Sequence, residues 1–244
     1  MKTPDNIREY YEQLYRRQNH ENPAYLIYDQ LRSEYIGKLA HGCSGPVLIV
    51  GCGSGRDFSI ISDLSPIFAF DLSYEAVHKV SHGRNLVTAD ALDIPFCTGH
   101  FNLVICSEVL EHIPDIRSAV KELRRVSSPN GVLIVSSPNW ISWFGLARWF
   151  SKRITGRDIT SSGQPFDDWK TFSRFKTELS PEFKVMVSRG VWYLPPLHYR
   201  NSGFPDWLMQ AIYFFYSPFE VLLSRYLPNA GHLLILKCKP NFNH

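Results

Sequence analysis

The chain has 244 residues, and its 26 lysines and arginines against 23 aspartates and glutamates leave a net charge of +3. A charge this small does not by itself predict binding to nucleic acid or to an anionic membrane. Hydrophobic residues make up 44% and charged residues 20% of the sequence, as in an ordinary globular protein, and the length suits one domain with insertions.

The five cysteines are odd in number and include no Cys-x-x-Cys pair. This favours small core residues in a reducing compartment over a disulfide framework or a zinc site. The first residues are polar and charged, unlike a signal peptide, and no long apolar run predicts a membrane span. We therefore expect a cytoplasmic protein.

The N-terminal segment predicts a pair of helices. Tyrosines, leucines and isoleucines recur at helical spacing over residues 5–40, and Asn22 followed by Pro23 is typical of the start of the second helix. The tyrosines are predicted either to pack on a sheet or to form a lid in which Tyr11 or Tyr15 reaches a ligand.

The stretch Val47–Gly55 predicts a buried parallel strand that runs into a glycine-rich turn, because its first four residues are all apolar. Gly51 and Gly53 can adopt φ values closed to other residues and let a ligand approach the main chain. The segment from Arg56 to Leu64 then predicts a helix whose N-terminal N–H groups point at that ligand.

A second apolar stretch, residues 67–70, ends at Asp71. A carboxylate at this point of a nucleotide-binding unit accepts hydrogen bonds from ribose hydroxyls. The dinucleotide fingerprint would place its third glycine at Arg56, whereas the last glycine here is Gly55, one residue earlier. This favours a ligand without a pyrophosphate, and a glycine turn without any ligand is the alternative.

Strands and helices continue to alternate after Asp71. Three further strands are predicted: Asn85–Thr88, Phe101–Cys106 and Val132–Ser136. Helices are predicted over 72–82 and up to Val126, with a turn over 127–131. This alternation predicts an α/β fold with a doubly wound, mostly parallel sheet.

Asp90 follows the third predicted strand. The crevice outside the carboxyl ends of the strands is where open α/β sheets bind ligands. A carboxylate there can accept a hydrogen bond from the exocyclic amine of adenine, and a loop cap is the alternative role.

The second half of the sequence contains two long segments outside the predicted sheet, 138–180 and 191–230. A helix over 173–179 and strands over 183–188 and 232–238 are predicted around them. The segment 191–230 is rich in aromatic residues and far longer than an ordinary connection. It predicts one helix over 207–216 and a second that begins at the capping box 217–220.

The motifs in this order resemble the class I S-adenosylmethionine-dependent methyltransferases over about residues 45–140. The residues that carry the resemblance are Val47–Gly55, Asp71, Ala89-Asp90-Ala91 with Ile94-Pro95-Phe96, and Phe101–Asp115. The run from Glu108 to His112 is most similar to the ubiquinone-biosynthesis O-methyltransferases. One departure is Asn102, where the family usually has aspartate.

The resemblance implies a seven-stranded sheet with an antiparallel last strand, and S-adenosyl-L-methionine as the cofactor. Gly51 and Gly53 would pass under its methionine part, with Asp71 at the ribose. The remaining implied cofactor residues are Cys52, Gly55, Leu72, Asp90 and Ala91 (the last two at adenine), with Ser107 and Glu108 facing the reacting end.

A sulfonium methyl group is already electrophilic, so the protein mainly aligns the nucleophile and excludes water. An oxygen nucleophile also needs a base, and His112 is the candidate because imidazole titrates near neutral pH. A structural role at the start of a helix is the alternative. Glu108, Glu111 and His112 also resemble the metal ligands of small-RNA 2′-O-methyltransferases, which need a further histidine that residues 164–175 lack. We therefore predict no metal.

We predict a small, hydrophobic or lipid-linked acceptor, with O-methylation favoured. Nucleic acid is not expected, because the basic residues form short scattered groups and no stripe. An RNA or protein methyltransferase, or a cofactor-binding protein without catalysis, are the alternatives. The segment 204–227 is predicted to contact acceptor or membrane, or to pack on the sheet or in a homodimer.

We expect a single domain with four parts. They are an N-terminal helical lid (1–42), a cofactor-binding core (43–137) and two substrate-side insertions (138–180 and 191–230).

Overall fold

The computed structural model describes residues 4–16, 23–64, 66–80, 85–156, 164–195 and 205–241. They form one seven-stranded sheet in the order β3-β2-β1-β4-β5-β7-β6. The strands are β1 (Val47–Val50), β2 (Ile67–Asp71), β3 (Asn85–Thr88), β4 (Phe101–Ser107), β5 (Ser127–Pro138), β6 (Phe183–Val191) and β7 (Leu233–Pro240). The first five strands pair in parallel, and β7 runs antiparallel to both β5 and β6. The predicted α/β fold with an antiparallel last strand is confirmed.

Eight helices accompany the sheet in the described part of the chain. They are α1 (Pro4–Arg16), α2 (Pro23–Ala40), α3 (Asp57–Ile60), α4 (Tyr74–Val80), α5 (Ile116–Val126), α6 (Trp143–Thr155), α7 (Phe172–Leu179) and α8 (Asp206–Tyr226). Both predicted N-terminal helices are present. A short 3-10 turn, Leu110–His112, lies between β4 and α5.

The core lies on both faces of the sheet, because alternate residues of a strand point to opposite sides. In β1, Leu48 and Val50 belong to the apolar cluster that includes α5 and α7, whereas Ile49 belongs to the cluster that includes α2 and α3. The whole strand is buried, as its unbroken apolar sequence predicts.

The predicted helix 56–64 is wrong in length, because α3 ends at Ile60. Ile61 leaves the helical region at φ −123° and ψ 25°, and the Leu64 N–H donates to its carbonyl at 2.9 Å in a tight turn. The chain must reverse within a few residues to enter β2 at Ile67, and the turn does this.

The predicted helix 72–82 begins two residues later, at Tyr74. The Ser73 hydroxyl accepts from the Ala76 N–H at 3.2 Å and so caps its first turn. Residues 81 and 82 lie outside the described part of the chain.

The predicted turn at 127–131 is also wrong, because these residues lie inside β5. Phe101 of β4 pairs with Ser127, and Leu103 pairs with Val132. The residues between these two pairs therefore form a bulge on β5. Pro129 is tolerated there because a bulge does not need its missing N–H.

The two helices expected within 191–230 are one continuous helix, α8, with Pro218 inside it. Pro218 has no N–H to donate to the carbonyl of Phe214, one turn earlier. The Ser217 hydroxyl donates to that carbonyl instead, at 3.1 Å, so the helix continues. Glu220 accordingly is no capping residue: it is buried, and it accepts from the Trp192 N–H at 2.7 Å.

Candidate functional site

A pocket opens at the edge of the sheet where β1, β2, β3 and β4 end. Its volume is about 620 Å³, with the open space at its mouth included. Seven of the predicted site residues line it: Gly51, Asp71, Leu72, Asp90, Ala91, Glu108 and His112. The other predicted site residues are not part of this lining: Cys52, Gly53, Gly55 and Ser107.

The glycine turn after β1 packs closely against side chains that line the pocket. Gly51 has φ +70°, and a Cβ there would lie 2.5 Å from a methyl carbon of Val109. Gly53 has φ +48°, and a Cβ there would lie 2.8 Å from the Tyr15 hydroxyl oxygen. Both positions therefore require glycine, for backbone conformation and for space.

Asp71 ties the glycine turn to the end of β2. One carboxylate oxygen accepts from the Gly53 N–H at 2.8 Å, and the other accepts from the Ser73 N–H at 2.9 Å. Burial raises the pKa of Asp71, while these backbone donors oppose the rise. Each oxygen keeps a lone pair for a further donor in the pocket.

Asp90 caps the loop after β3, which is the alternative role considered for it. Its Oδ1 accepts from the Leu92 N–H at 2.9 Å, directly after β3. It still lines the pocket beside the buried Ala91. Its cap role and a ligand role are compatible, because a carboxylate has several acceptor sites.

Arg32 organises a charged cluster that the sequence reasoning missed. This arginine of α2 is 5% exposed, donates to the Ser107 hydroxyl at 2.7 Å and pairs with Asp57 at 2.7 Å and Asp29 at 2.8 Å. Glu108 lies 3.8 Å from its Nε. The available signal was a long cationic side chain within the apolar pattern of α2.

Glu108 is fixed at the end of β4 by two elements. The Tyr28 hydroxyl of α2 donates to its Oε1 at 2.8 Å, and its own N–H donates to the Ser136 hydroxyl of β5 at 3.1 Å. Its φ of 54° is unusual for a residue other than glycine. Burial raises the pKa of the Glu108 carboxyl, and the Arg32 guanidinium offsets part of the rise.

His112 is held by a segment distant in the sequence. Its Nδ1 lies 3.2 Å from the Phe166 carbonyl oxygen and 4.0 Å from Asp167 Oδ1. Asp167 in turn accepts from Arg148 of α6 at 2.9 Å. Burial lowers the pKa of His112, and the Asp167 carboxylate opposes the shift. The sequence reasoning missed both partners, since neither belongs to a motif.

Two polar groups close to His112 have no hydrogen-bond partner among the described residues, one oxygen of Glu111 and the hydroxyl of Tyr11. Glu111 is 1% exposed, and burial together with the nearby Glu108 raises its pKa well above the usual range. The Tyr11 ring centroid lies 6.1 Å from that of His112. In the described part of the chain, no group of His, Cys, Asp or Glu side chains is placed to bind a metal.

Helix α1 covers the pocket. The Glu12 carboxylate accepts from the N–H groups of Tyr74 at 2.7 Å and Glu75 at 3.0 Å, and from the Ser73 hydroxyl at 2.9 Å. It thereby caps α4 from another element, and an ion pair of 2.9 Å joins Arg16 to Glu75. Tyr11 and Tyr15 consequently line the pocket.

Residues 48–135, which include the glycine turn and the ends of the first strands, match a family model described as a methyltransferase domain. A probable S-adenosylmethionine-dependent methyltransferase of Mycolicibacterium smegmatis is 32% identical over 68% of this chain and 64% of its own. This part of the chain is a methyltransferase domain of the S-adenosylmethionine-dependent class. The predicted resemblance is confirmed.

The ubiquinone biosynthesis O-methyltransferase of Nitrosospira multiformis is 31% identical to this chain over 45% of the chain's length. The match spans about half, 49%, of that relative. The solved structure of the N-methyltransferase NodS from Bradyrhizobium japonicum, in complex with S-adenosyl-L-homocysteine, has a TM-score of 0.63 at 14% identity. The match covers 98% of this chain and 100% of the NodS chain. At this identity the match supports the fold alone.

The pocket of this domain suits S-adenosylmethionine, the cofactor of this class, in two respects. Gly51 lines it without a side chain, so a ligand can approach the main chain there. Its buried Tyr11 hydroxyl is unsatisfied among the described residues, so a polar group of a ligand can pair with it.

Proposed function

We propose that the protein transfers the methyl group of S-adenosylmethionine to an oxygen of a small, hydrophobic or lipid-linked acceptor. The observation that carries this proposal is the placement of His112. This histidine lines the pocket together with Asp71 and Glu108 and is held from behind by Phe166 and Asp167.

On the cofactor side, the predicted assignments stand as proposals. Gly51 and Gly53 pass under the methionine part, Asp71 accepts from the ribose, and Asp90 and Ala91 hold the adenine. Ser107 and Glu108 face the reacting end, and the remaining proposed cofactor residues are Cys52, Gly55 and Leu72. The bound cofactor supplies an electrophilic methyl group, and the chain supplies alignment and the exclusion of water.

His112 acts as the base in this proposal. Its Nδ1–H donates to the Phe166 carbonyl, which leaves the Nε2 lone pair free to take the proton of an acceptor hydroxyl. Burial lowers the pKa of the imidazole, so the ring is neutral at physiological pH and ready to accept. The Asp167 carboxylate, 4.0 Å away, then stabilises the imidazolium.

The hydrophobic acceptor is inferred from the lining near His112, which includes Ile7, Val109 and Ile113. Helix α1 is proposed as the lid, residues 43–137 as the cofactor core, and 138–180 and 191–230 as insertions on the acceptor side. The hydrogen bond that Glu12 of α1 accepts from the Tyr74 N–H of α4 supports a lid with a fixed position against α4.

A screen for methyl transfer from labelled S-adenosylmethionine to lipid, quinone and sugar extracts tests the proposal. We expect label in an organic-soluble product. The rate of labelling should fall at least about a hundredfold in His112→Ala. The affinity of that variant for S-adenosylhomocysteine should be unchanged. Label in RNA or protein, or full activity of His112→Ala, would contradict the proposal. Binding of S-adenosylhomocysteine without turnover of any extract would favour a non-catalytic binding protein.

A further inference from the structure

Exposed large apolar side chains concentrate on two helices of the second half. On and just before α6 they include Ile141, Trp143, Trp149, Phe150 and Ile154, which are 48% to 77% exposed. On α8 they include Trp207, Phe214, Phe215, Phe219 and Tyr226, which are 60% to 73% exposed. Exposed aromatic side chains in such numbers on two helices indicate an interaction site.

The two helices meet at one end. The Asn139 side-chain amide, just before α6, donates to the carbonyls of Asn229 and Gly231, just after α8, at 2.8 and 2.9 Å. The Phe144 ring of α6 stacks on His232 in the same region, with centroids 4.2 Å apart. The N-terminal end of α6 is thus pinned next to the C-terminal end of α8.

Among the side chains that the structure describes on these two helices, the exposed charged ones are all positive. Lys152 and Arg153 are exposed in the last turn of α6, and Arg225 is exposed in the last turn of α8. Helix α6 contains no acidic residue. The described acidic side chain of α8, Glu220, is 1% exposed and bonds inward to the Trp192 N–H.

Exposed aromatic side chains beside exposed cations are the composition of a helix that lies in a membrane interface. Tryptophan and tyrosine rings prefer the headgroup level, and lysine and arginine beside them pair with anionic lipids. Helix α8 alone has few cations for this role, and α6 supplies Lys152 and Arg153. None of the helices in the described residues combines the length and apolar character needed to cross a membrane.

We propose that α6 and α8 together form a docking surface for an anionic lipid bilayer, with Trp149, Phe150 and Phe215 entering the interface and Lys152 and Arg153 contacting lipid phosphates. Docking through this surface would bring the acceptor side of the pocket to a lipid-linked substrate. The binding itself needs neither cofactor nor acceptor, so it is tested separately from methyl transfer.

The test is flotation of the full chain with vesicles of phosphatidylcholine, with and without phosphatidylglycerol, at low and high salt. We expect flotation with the anionic vesicles that weakens at high salt. Lys152→Glu with Arg153→Glu is expected to weaken partitioning at least about tenfold. The matched control, Arg117→Glu with Lys121→Glu on the exposed side of α5, should bind as the unmodified chain does.

A second variant pair separates the aromatic contribution from the charge. Trp149→Ser with Phe150→Ser should also lose flotation, whereas Met186→Ser, at an exposed apolar residue of β6, should not. Circular dichroism melting shows that each variant folds. Absence of flotation with the unmodified chain, equal binding to neutral and anionic vesicles, or unchanged flotation of both α6 variants would each overturn the proposal. So would a dimer in light scattering that these variants convert to monomers while no vesicle binds.

Discussion

Two regions of this molecule differ in which side chains they bury and which they expose. Around the glycine turn, charged groups are buried and paired: Arg32 has carboxylate partners on α2, α3 and the end of β4. On α6 and α8, large aromatic groups such as Trp149 and Phe215 are more than half exposed. Burial of a charge is costly unless partners are fixed, and exposure of apolar surface is unfavourable unless something covers it.

The difference indicates two kinds of function. The buried, paired charges fix Glu108 at the pocket through contacts within the chain, as preorganised binding requires. The exposed aromatic surface is completed by contact with something outside the chain. Variants that act on the first region should therefore change stability and cofactor affinity, and those that act on the second should change association alone.

The largest effect on stability is expected from Arg32→Met. The substitution leaves Asp57, Ser107 and Glu108 without their shared cation in a buried cluster, which should cost about 3–5 kcal/mol of unfolding free energy. Urea denaturation measures this. Arg16→Met is the matched control, because that exposed ion pair with Glu75 is expected to contribute less than about 1 kcal/mol. Equal losses for the two variants would show that the buried cluster is not the supporting element.

Asp71→Ala should have the next largest effect, and on binding more than on folding. It removes the acceptor of the Gly53 and Ser73 N–H groups and the proposed acceptor of the ribose. We expect at least a roughly tenfold loss of affinity for S-adenosylhomocysteine by calorimetry. Asp93→Ala, an exposed acid in the loop after β3, is the control and should bind normally. Normal binding by Asp71→Ala, or tighter binding of NAD by the unmodified chain, would contradict the cofactor assignment.

These two sites also show how far sequence reasoning reaches. Asp71 and Gly51 could be predicted, because a strand end and a positive φ leave a local sequence pattern. Arg32, Phe166 and Asp167 could not, because the site residues that they contact, Ser107 for Arg32 and His112 for the other two, are 54 to 75 residues away in the sequence. The single helix α8 was missed because Ser217 replaces a hydrogen bond that Pro218 removes, a compensation that propensity rules do not include.

A smaller effect, dependent on pH, is expected at Glu111. Burial raises its pKa in the folded state above the unfolded value, so the folded chain keeps a proton that the unfolded chain has lost. Stability is then full below the unfolded pKa and falls as pH rises towards the folded pKa. Glu111→Gln should remove this fall, so its stability relative to the unmodified chain should increase from pH 5 to pH 7 in urea denaturation.

The contrasting control for Glu111 is Glu122. Hydrogen bonding to Arg125 lowers the pKa of Glu122, so its contribution is present at neutral pH and is lost as pH falls. Glu122→Gln should therefore be less stable than the unmodified chain at pH 7, with a difference that shrinks in acid. The same sign of pH dependence for both variants would contradict the assigned protonation of Glu111.

The smallest expected effect is that of metal removal. Glu108, Glu111 and His112 would need a further ligand from the segment that packs against them, and that segment contributes the Phe166 carbonyl and Asp167 to His112. The burial that raises the pKa of Glu111 disfavours the deprotonated carboxylate that a divalent cation would need as a ligand. We expect EDTA to leave S-adenosylhomocysteine affinity and, once an acceptor is identified, turnover unchanged. Loss of turnover that magnesium or zinc restores would instead make these three residues ligands, and the His112 proton transfer would then have to be replaced by metal activation of the acceptor oxygen.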